Sequence, residues 1–142
     1  MNKSLKKSTE TIVLPKEAKT NKVNGTGIMR IFKAANCSYK GFKAAFKYES
    51  AFRQELALTI FLLPFSFYLA QSNLHHIMLI ASLLFLLFSE IINSAIEALA
   101  DKITLEHDEL IGRAKDLASA GVFIALILLW IIWGEAIYTK FF

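Results

Sequence analysis

Two carboxylates interrupt a long apolar run in residues 89–98, which read Ser89-Glu90-Ile91-Ile92-Asn93-Ser94-Ala95-Ile96-Glu97-Ala98. No Lys, Arg, Asp or Glu occurs between Leu56 and Ser89, so the run is apolar enough to cross a membrane. A charged side chain near the centre of a membrane helix costs about 3 kcal/mol on insertion scales. Ionisable residues in such a run therefore indicate a functional site.

A helix through this run would gather its polar side chains on one face, because residues three, four and seven positions apart are neighbours on a helix. That face carries Glu90, Asn93, Ser94, Glu97 and Asp101. Glu90 and Glu97 would lie about 10 Å apart along the axis, too far to share one proton or one metal ion. The spacing suits a deep proton acceptor at Glu90 and a shallow Mg²⁺ ligand at Glu97. From the residues alone, the alternative is that these carboxylates hold helices together or line a proton path.

The composition predicts one small membrane domain rather than a soluble core. The chain has 142 residues, of which 55% are hydrophobic. Three membrane spans are predicted, at about residues 56–72, 74–100 and 117–138. The first is short and contains Pro64, which we expect to kink the helix or to lie near its outer end.

The distribution of charge predicts the orientation of these spans. Residues 1–54 contain twelve Lys or Arg and three Asp or Glu, a net charge of +9, whereas residues 55–142 contain four and nine, a net charge of −5. The link between the first two spans contains no Lys or Arg. The positive-inside rule therefore places the N-terminus and the loop at residues 101–116 in the cytoplasm, and the C-terminus outside.

The residues before the first span divide into two parts. Residues 1–24 are rich in Lys, Thr and Asn, which predicts a disordered basic tail preceding a domain at residues 25–142. Residues 27–48 predict an amphipathic helix lying on the membrane surface, with aromatic and aliphatic side chains at three- and four-residue steps and Lys on the other side. Glu49 continues the apolar series and adds a third carboxylate near the membrane.

Several familiar nucleotide motifs do not occur in the sequence. It contains no Gly-x-x-x-x-Gly-Lys-Ser/Thr, no Gly-x-Gly-x-x-Gly and no protein-kinase signature set, so nucleotide chemistry would need another scaffold. The single cysteine, Cys37, excludes an internal disulfide. His75 and His76 are adjacent and would point in different directions, which favours a polar turn over a metal site.

Three blocks of sequence resemble the prokaryotic integral-membrane diacylglycerol kinase family, and the resemblance covers about residue 25 to the C-terminus. The blocks are Ala51-Phe52-Arg53-Gln54-Glu55, Glu90-Ile91-Ile92-Asn93-Ser94-Ala95-Ile96-Glu97 and Gly112-Arg113-Ala114-Lys115-Asp116-Leu117-Ala118-Ser119-Ala120. The resemblance implies an all-α membrane protein with one surface helix and three transmembrane helices, assembled as a homotrimer in the bacterial inner membrane. It also implies transfer of the ATP γ-phosphate to the hydroxyl of diacylglycerol, with Mg²⁺ as cofactor and phosphatidic acid as product.

The resemblance further implies the residues of the site. The catalytic base would be Glu90, and the metal ligands would be Glu49 and Glu97. The implied ATP-binding residues are Arg30, Cys37, Glu49, Glu97, Glu106, His107, Asp108, Lys115 and Asp116. The implied lipid-binding residues are Arg30, Ser38, Arg53, Gln54, Glu55, Glu90, Asn93 and Ser119.

Three positions depart from the family pattern. Members often have an aromatic residue at Cys37, a Trp at Tyr39 and a His at Asp108. These departures bear on nucleotide contacts, whereas the carboxylates and Lys115 match the pattern.

Two other functions compete with diacylglycerol phosphorylation. The first is a kinase for undecaprenol, a polyprenyl alcohol, because related bacterial proteins share most of these motifs. The second is a non-enzymatic proton or ion pathway protein, which would also contain buried carboxylates. Such a pathway would not explain why acidic and basic groups gather at the cytoplasmic ends of the second and third spans.

Overall fold

The computed structural model describes residues 28–104, 106 and 108–142, and within them it is entirely α-helical. The helices are α1 (Ile28–Tyr48), α2 (Ser50–Leu69), α3 (Asn73–Ile103) and α4 (Glu109–Phe141). The predicted all-α fold is therefore confirmed for this part of the chain, and the predicted tail at residues 1–24 lies outside it. The chain divides into two compact units, Met1–Asn36 and Cys37–Phe142. The first contributes the beginning of α1, and the second contains the remaining helices.

The end of α1 and the start of α2 are joined by a single extended residue, Glu49, with φ −103° and ψ 114°. A helix ends with carbonyl groups that have no partner inside the helix. Arg53 meets this need, because its Nη1 donates to the carbonyl oxygens of Phe46 at 3.0 Å and Lys47 at 3.4 Å. The guanidinium therefore fastens the first turn of α2 to the last turn of α1.

The turn between α2 and α3 differs slightly from the prediction. Helix α2 ends at Leu69, before the end of the span predicted at residues 56–72, because Ala70 adopts an extended conformation. Pro64 lies inside α2, close to this end, as expected. Ser72 then caps α3 by accepting a hydrogen bond from the His75 backbone N–H at 3.1 Å. Helices α3 and α4 both extend beyond the spans predicted at residues 74–100 and 117–138.

Two of the described helices, α3 and α4, are long and apolar enough to cross a membrane. Helix α2 has 20 residues but is not among the helices that are both long and apolar enough. Its N-terminal half contains Arg53, Gln54 and Glu55, which lower its average hydropathy. Two apolar helices of membrane-spanning length support a membrane protein, and the third predicted span remains a prediction.

Helices α2, α3 and α4 pack together around an apolar cluster, and we call this region the turn half, residues 62–86 and 125–141. Its buried members are Leu69, Leu79, Leu83, Leu86, Ala125, Leu129, Trp133 and Ala136. Trp133 also donates its indole N–H to Ser82 Oγ at 3.2 Å, which gives this buried polar atom a partner. The opposite half of the bundle, residues 49–59 and 89–119, contains the predicted site and is called the loop half.

Candidate functional site

The polar face of α3 points inward in the loop half. Glu90 is only 4% exposed, and Asn93 and Ser94 are each 9% exposed. On the opposite face, Ile92 and Leu99 are exposed. This arrangement reverses that of a water-soluble helix and suits a helix whose apolar side faces lipid. The structure therefore places the predicted polar face inside the protein.

Asn93 connects two of the predicted site residues along α3. Its Nδ2 donates to Glu97 Oε1 at 3.1 Å, so it fixes the orientation of a half-buried carboxylate. Glu90 lies within electrostatic range of both Glu97 and Glu49. Carboxylates from α3 and from the α1–α2 junction thus act on the buried Glu90.

Helix α2 contributes a fourth acidic residue, Glu55. Its Oε2 is buried and has no hydrogen-bond partner, and its charge interacts with that of Glu90. Glu55 precedes the predicted span at residues 56–72. Burial, and secondarily the nearby Glu90 carboxylate, raises the pKa of Glu55 to about 7. Glu55 and Glu90 therefore form an interacting acidic pair across the α2–α3 contact.

The cytoplasmic ends predicted for α3 and α4 are joined by an ion pair between Lys115 and Asp101. Lys115 Nζ lies 2.9 Å from Asp101 Oδ1, and the two side chains are 39% and 57% exposed. A pair this exposed contributes about 0–1 kcal/mol to stability. Its main consequence is positional, because it holds the ammonium group of Lys115 between the two helices. Glu97 also interacts electrostatically with Lys115.

The loop between α3 and α4 gives Asp108 a structural role. Asp108 Oδ1 accepts hydrogen bonds from the backbone N–H groups of Leu110 at 2.9 Å and Ile111 at 3.0 Å, so it caps α4. The side chain of Asp108 is thus engaged within the chain itself. Glu106 is exposed, and its backbone N–H donates to Thr104 Oγ1 at 3.0 Å. His107 lies outside the described residues.

The other predicted site residues are solvent-facing in the single chain. Arg30 lies in the first turn of α1 and is exposed. The exposed members within Cys37–Phe142 are Cys37, Ser38, Arg53, Gln54, Asp116 and Ser119. Of these, Arg53 is already engaged with the carbonyls of α1. The structure thus brings the predicted carboxylates together with Asn93, whereas these exposed residues remain predictions.

The carboxylates fit a metal ion only in part. No group of three or more His, Cys, Asp or Glu that could hold a metal occurs among the described residues. Glu49 and Glu97 would therefore supply two carboxylate ligands, and other oxygen atoms would have to complete the shell. Mg²⁺ is commonly bound in this way, by one or two carboxylates together with substrate phosphates and water.

Two residues of this region had no assigned role in the sequence analysis. Asp101 belongs to the predicted polar face of α3. Its contact with Lys115 forms because α3 and α4 pack side by side after the loop that joins them. Thr59 is 8% exposed, and its Oγ1 has no hydrogen-bond partner. Its position four residues after Glu55 is the sequence signal that could have revealed it, because the two share one face of a helix.

Comparison with known proteins identifies the relatives of this chain. The family model described as prokaryotic diacylglycerol kinase matches residues 36–137. A diacylglycerol kinase of Haemophilus influenzae is 42% identical over 113 residues, covering 80% of this chain and 96% of the relative. That of Escherichia coli K12 is 42% identical over 118 residues, covering 83% and 97%. That of Pseudomonas aeruginosa is 43% identical over 109 residues, covering 77% and 89%. The resemblance found in the sequence and the predicted enzyme class are both confirmed.

Proposed function

The chain belongs to the prokaryotic diacylglycerol kinase family, and from this premise we propose that it transfers the γ-phosphate of ATP to the hydroxyl of diacylglycerol. The product would be phosphatidic acid. The observation that carries this proposal is the burial of Glu90, 4% exposed, on the inward face of an apolar helix, within electrostatic range of other acidic groups. A carboxylate at this depth can meet a lipid hydroxyl that never leaves the membrane.

Glu90 acts as the general base in this proposal. Phosphoryl transfer requires positioning, neutralisation of charge and an oriented nucleophile rather than covalent chemistry by the protein. Glu90 accepts the proton of the lipid hydroxyl as the oxygen attacks the γ-phosphorus, the bond from that phosphorus to the β–γ bridging oxygen breaks, and ADP leaves. Asn93 and Glu55 flank it on α3 and α2 and would hold the lipid head. Arg53, Gln54, Ser38, Arg30 and Ser119 are the remaining proposed lipid contacts.

The phosphates of ATP are proposed to bind on the loop side of Glu90. Glu97, oriented by Asn93, and Glu49 at the α1–α2 junction would hold Mg²⁺. When bound, the ion would neutralise phosphate charge. Lys115 would donate to the same phosphates with the N–H groups that Asp101 leaves free. Arg30, Cys37, Glu106, His107, Asp108 and Asp116 are the other proposed ATP contacts.

The proposed setting is the bacterial inner membrane, with the loop half toward the cytoplasm. The excess of Lys and Arg in residues 1–54 supports a cytoplasmic N-terminus. The part of α2 that follows Glu55 would belong to the third membrane span, and α1 would lie on the membrane surface. A homotrimer, as the family resemblance implies, would cover apolar surface that a single chain exposes on α2 and α4.

The decisive experiment measures transfer of labelled phosphate from γ-labelled ATP into lipid by the purified protein. Mixed micelles containing either diacylglycerol or undecaprenol are compared, with and without Mg²⁺. We expect Mg²⁺-dependent labelling of diacylglycerol with a higher kcat/KM than that of undecaprenol. A higher kcat/KM for undecaprenol would assign the chain to polyprenol phosphorylation, and absence of labelling with both lipids would refute a lipid kinase.

A further inference from the structure

Buried hydroxyl groups in this bundle fall into two groups. Those of Ser66 and Ser82, like that of the half-buried Ser89, each donate to a carbonyl oxygen three residues earlier in their own helix, at 2.7 to 2.8 Å. This is the usual way in which a helical hydroxyl satisfies its hydrogen-bonding capacity. Thr59 and Ser94 have no such partner, although their hydroxyl oxygens are fully buried. These two groups are therefore left for a ligand or another chain.

Thr59 lies next to the acidic pair of the site. Glu55 and Thr59 are four residues apart on α2, so Thr59 lies about 6 Å farther along the helix on the same face. Two observations indicate how α2 runs against α3: the charges of Glu55 and Glu90 interact near one end, and Ser66 hydrogen-bonds His76 at 3.1 Å near the other. Thr59 falls between these two points, closer to the first.

Thr59 and Ser94 lie on opposite sides of Glu90 along the bundle axis. Ser94 follows Glu90 on α3 toward the loop half's charged groups, where the proposed phosphates bind. Thr59 lies toward the turn half, where the walls become apolar and where the acyl part of a lipid would extend. In the proposed site, a lipid whose hydroxyl reaches Glu90 would bring the atoms nearest its head beside Thr59.

We propose that Thr59 is a specificity-determining residue whose hydroxyl donates a hydrogen bond to an ester carbonyl of the lipid substrate. This inference rests on the proposed function, and it names the chemical class of the substrate at that site. In a diacylglycerol, the ester on the carbon next to the reacting hydroxymethyl group carries its carbonyl only a few bonds from that hydroxyl. A group this near the hydroxyl would lie beside Thr59, which is about 6 Å along α2 from Glu55.

The same contact would discriminate against polyprenols. A polyprenol has only hydrocarbon beside its hydroxyl, so its binding would leave the Thr59 hydroxyl buried and unpaired. A site built to hydrogen-bond a substrate group rejects an analogue that lacks it, because the buried partner then remains without a bond. Thr59 would thus favour a diester lipid over an alcohol without carbonyl groups.

The test compares two short lipids that differ only in the carbonyls: dioctanoylglycerol, which is a diester, and dioctylglycerol, which is the matching diether. Wild type, Thr59→Val and Thr59→Ser are assayed for kcat/KM with each lipid at saturating ATP. We expect wild type to prefer the diester by about three- to tenfold, the scale of one neutral hydrogen bond. Thr59→Val should abolish this preference without lowering kcat/KM for the diether. Thr59→Ser should retain it.

Ser82→Ala is the matched control, because it removes a buried hydroxyl that already has partners in the turn half. It should leave the ratio of kcat/KM for the diester to that for the diether unchanged.

Equal use of the two lipids by wild type, or an equal loss of kcat/KM for both lipids in Thr59→Val, would overturn the inference. The second result would mean that Thr59 bonds a neighbouring subunit, and the proposed kinase activity would stand. If Thr59→Val does not fold, Thr59→Ala gives the same comparison. Failure of wild type to phosphorylate either lipid would overturn the proposed function and the inference together.

Discussion

The turn half and the loop half of the bundle use the same helices but satisfy their buried polar groups differently. In the turn half, the Ser66, Ser82 and Trp133 side chains all have hydrogen bonds. Within the part of the chain that the structure describes, five buried side-chain polar atoms have no hydrogen bond, and four of these lie in the loop half, on Glu55, Thr59, Asn93 and Ser94. The fifth, His75 Nε2, lies 3.3 Å from Glu135 Oε2.

This difference indicates which part of the bundle stabilises the fold and which part carries the function. An unpaired buried polar group costs about 1–3 kcal/mol, so a concentration of them is unfavourable unless something binds there. The turn half contains the apolar cluster that holds the helices together, whereas we propose that the unpaired polar groups of the loop half meet polar ligands. Matched substitutions in the two halves should therefore affect different quantities.

The largest contrast should come from removing one carboxylate in each half. Glu90→Gln should lower kcat about 100-fold or more, because an amide cannot accept the proton of the lipid hydroxyl. Glu135→Gln, in the turn half, should leave kcat close to that of wild type. Steady-state phosphate transfer, normalised to folded protein by size-exclusion chromatography, measures both. Near-normal turnover in Glu90→Gln would remove this residue from the role of base.

The Mg²⁺ dependence of the activity should also change only with substitutions in the loop half. Glu49→Ala and Glu97→Ala should each raise the Mg²⁺ concentration required for half-maximal activity by about tenfold or more, because each removes a proposed ligand. Glu109→Ala is the control, because it removes an exposed carboxylate from the first turn of α4. Titration of activity against Mg²⁺ at fixed ATP gives the three values. Unchanged midpoints in both ligand variants would place the metal elsewhere.

Lys115 and Asp101 should show a smaller, coupled effect on ATP. Lys115→Ala should raise the KM for ATP about tenfold while leaving the KM for lipid unchanged, because one charge-assisted contact to phosphate is lost. Asp101→Asn should raise the KM for ATP only a few-fold, because the ion pair is exposed. If Asp101 acts by positioning Lys115, the double variant should resemble Lys115→Ala alone. An anchoring role for Lys115 predicts less folded protein with wild-type kinetics.

The sequence predicted the elements of this site better than their contacts. The polar face of α3 follows from the spacing of Glu90, Asn93, Ser94 and Glu97, since a helix of known pitch fixes which residues share a face. The family resemblance, carried by three sequence blocks, is confirmed by the comparisons. These features depend on local spacing or on whole motifs, both of which can be seen in the sequence itself.

Contacts between helices required the structure. The pairing of Lys115 with Asp101 spans 14 residues, and that of Trp133 with Ser82 spans 51. Both depend on the register of neighbouring helices, which periodicity does not specify. Helix α2 ends at Leu69 instead of residue 72 because Ala70 is extended. The apolar pattern of the sequence does not reveal this change of backbone conformation. Arg53 likewise binds α1 carbonyls that only the bend at Glu49 brings within reach.

The smallest expected effect lies in the turn half and tests whether its polar contacts serve stability alone. Ser82→Ala removes the acceptor of the Trp133 indole N–H and leaves that buried donor unpaired. The cost should be about 0.6–1 kcal/mol, below the penalty of about 1–3 kcal/mol in water-soluble proteins, because hydrogen bonds between membrane helices contribute only about 0.6 kcal/mol on average. Trp133→Phe together with Ser82→Ala removes both partners, so the double variant should lose less stability than the sum of the two single losses.

Reversible unfolding in mixed micelles measures the free energies of unfolding, and phosphate transfer per folded protein measures activity. We expect kcat to stay at the wild-type level in all three variants. A fall in kcat for Ser82→Ala that exceeds its loss of folded protein would show that the turn half also contributes to catalysis, and the division between the two halves would fail.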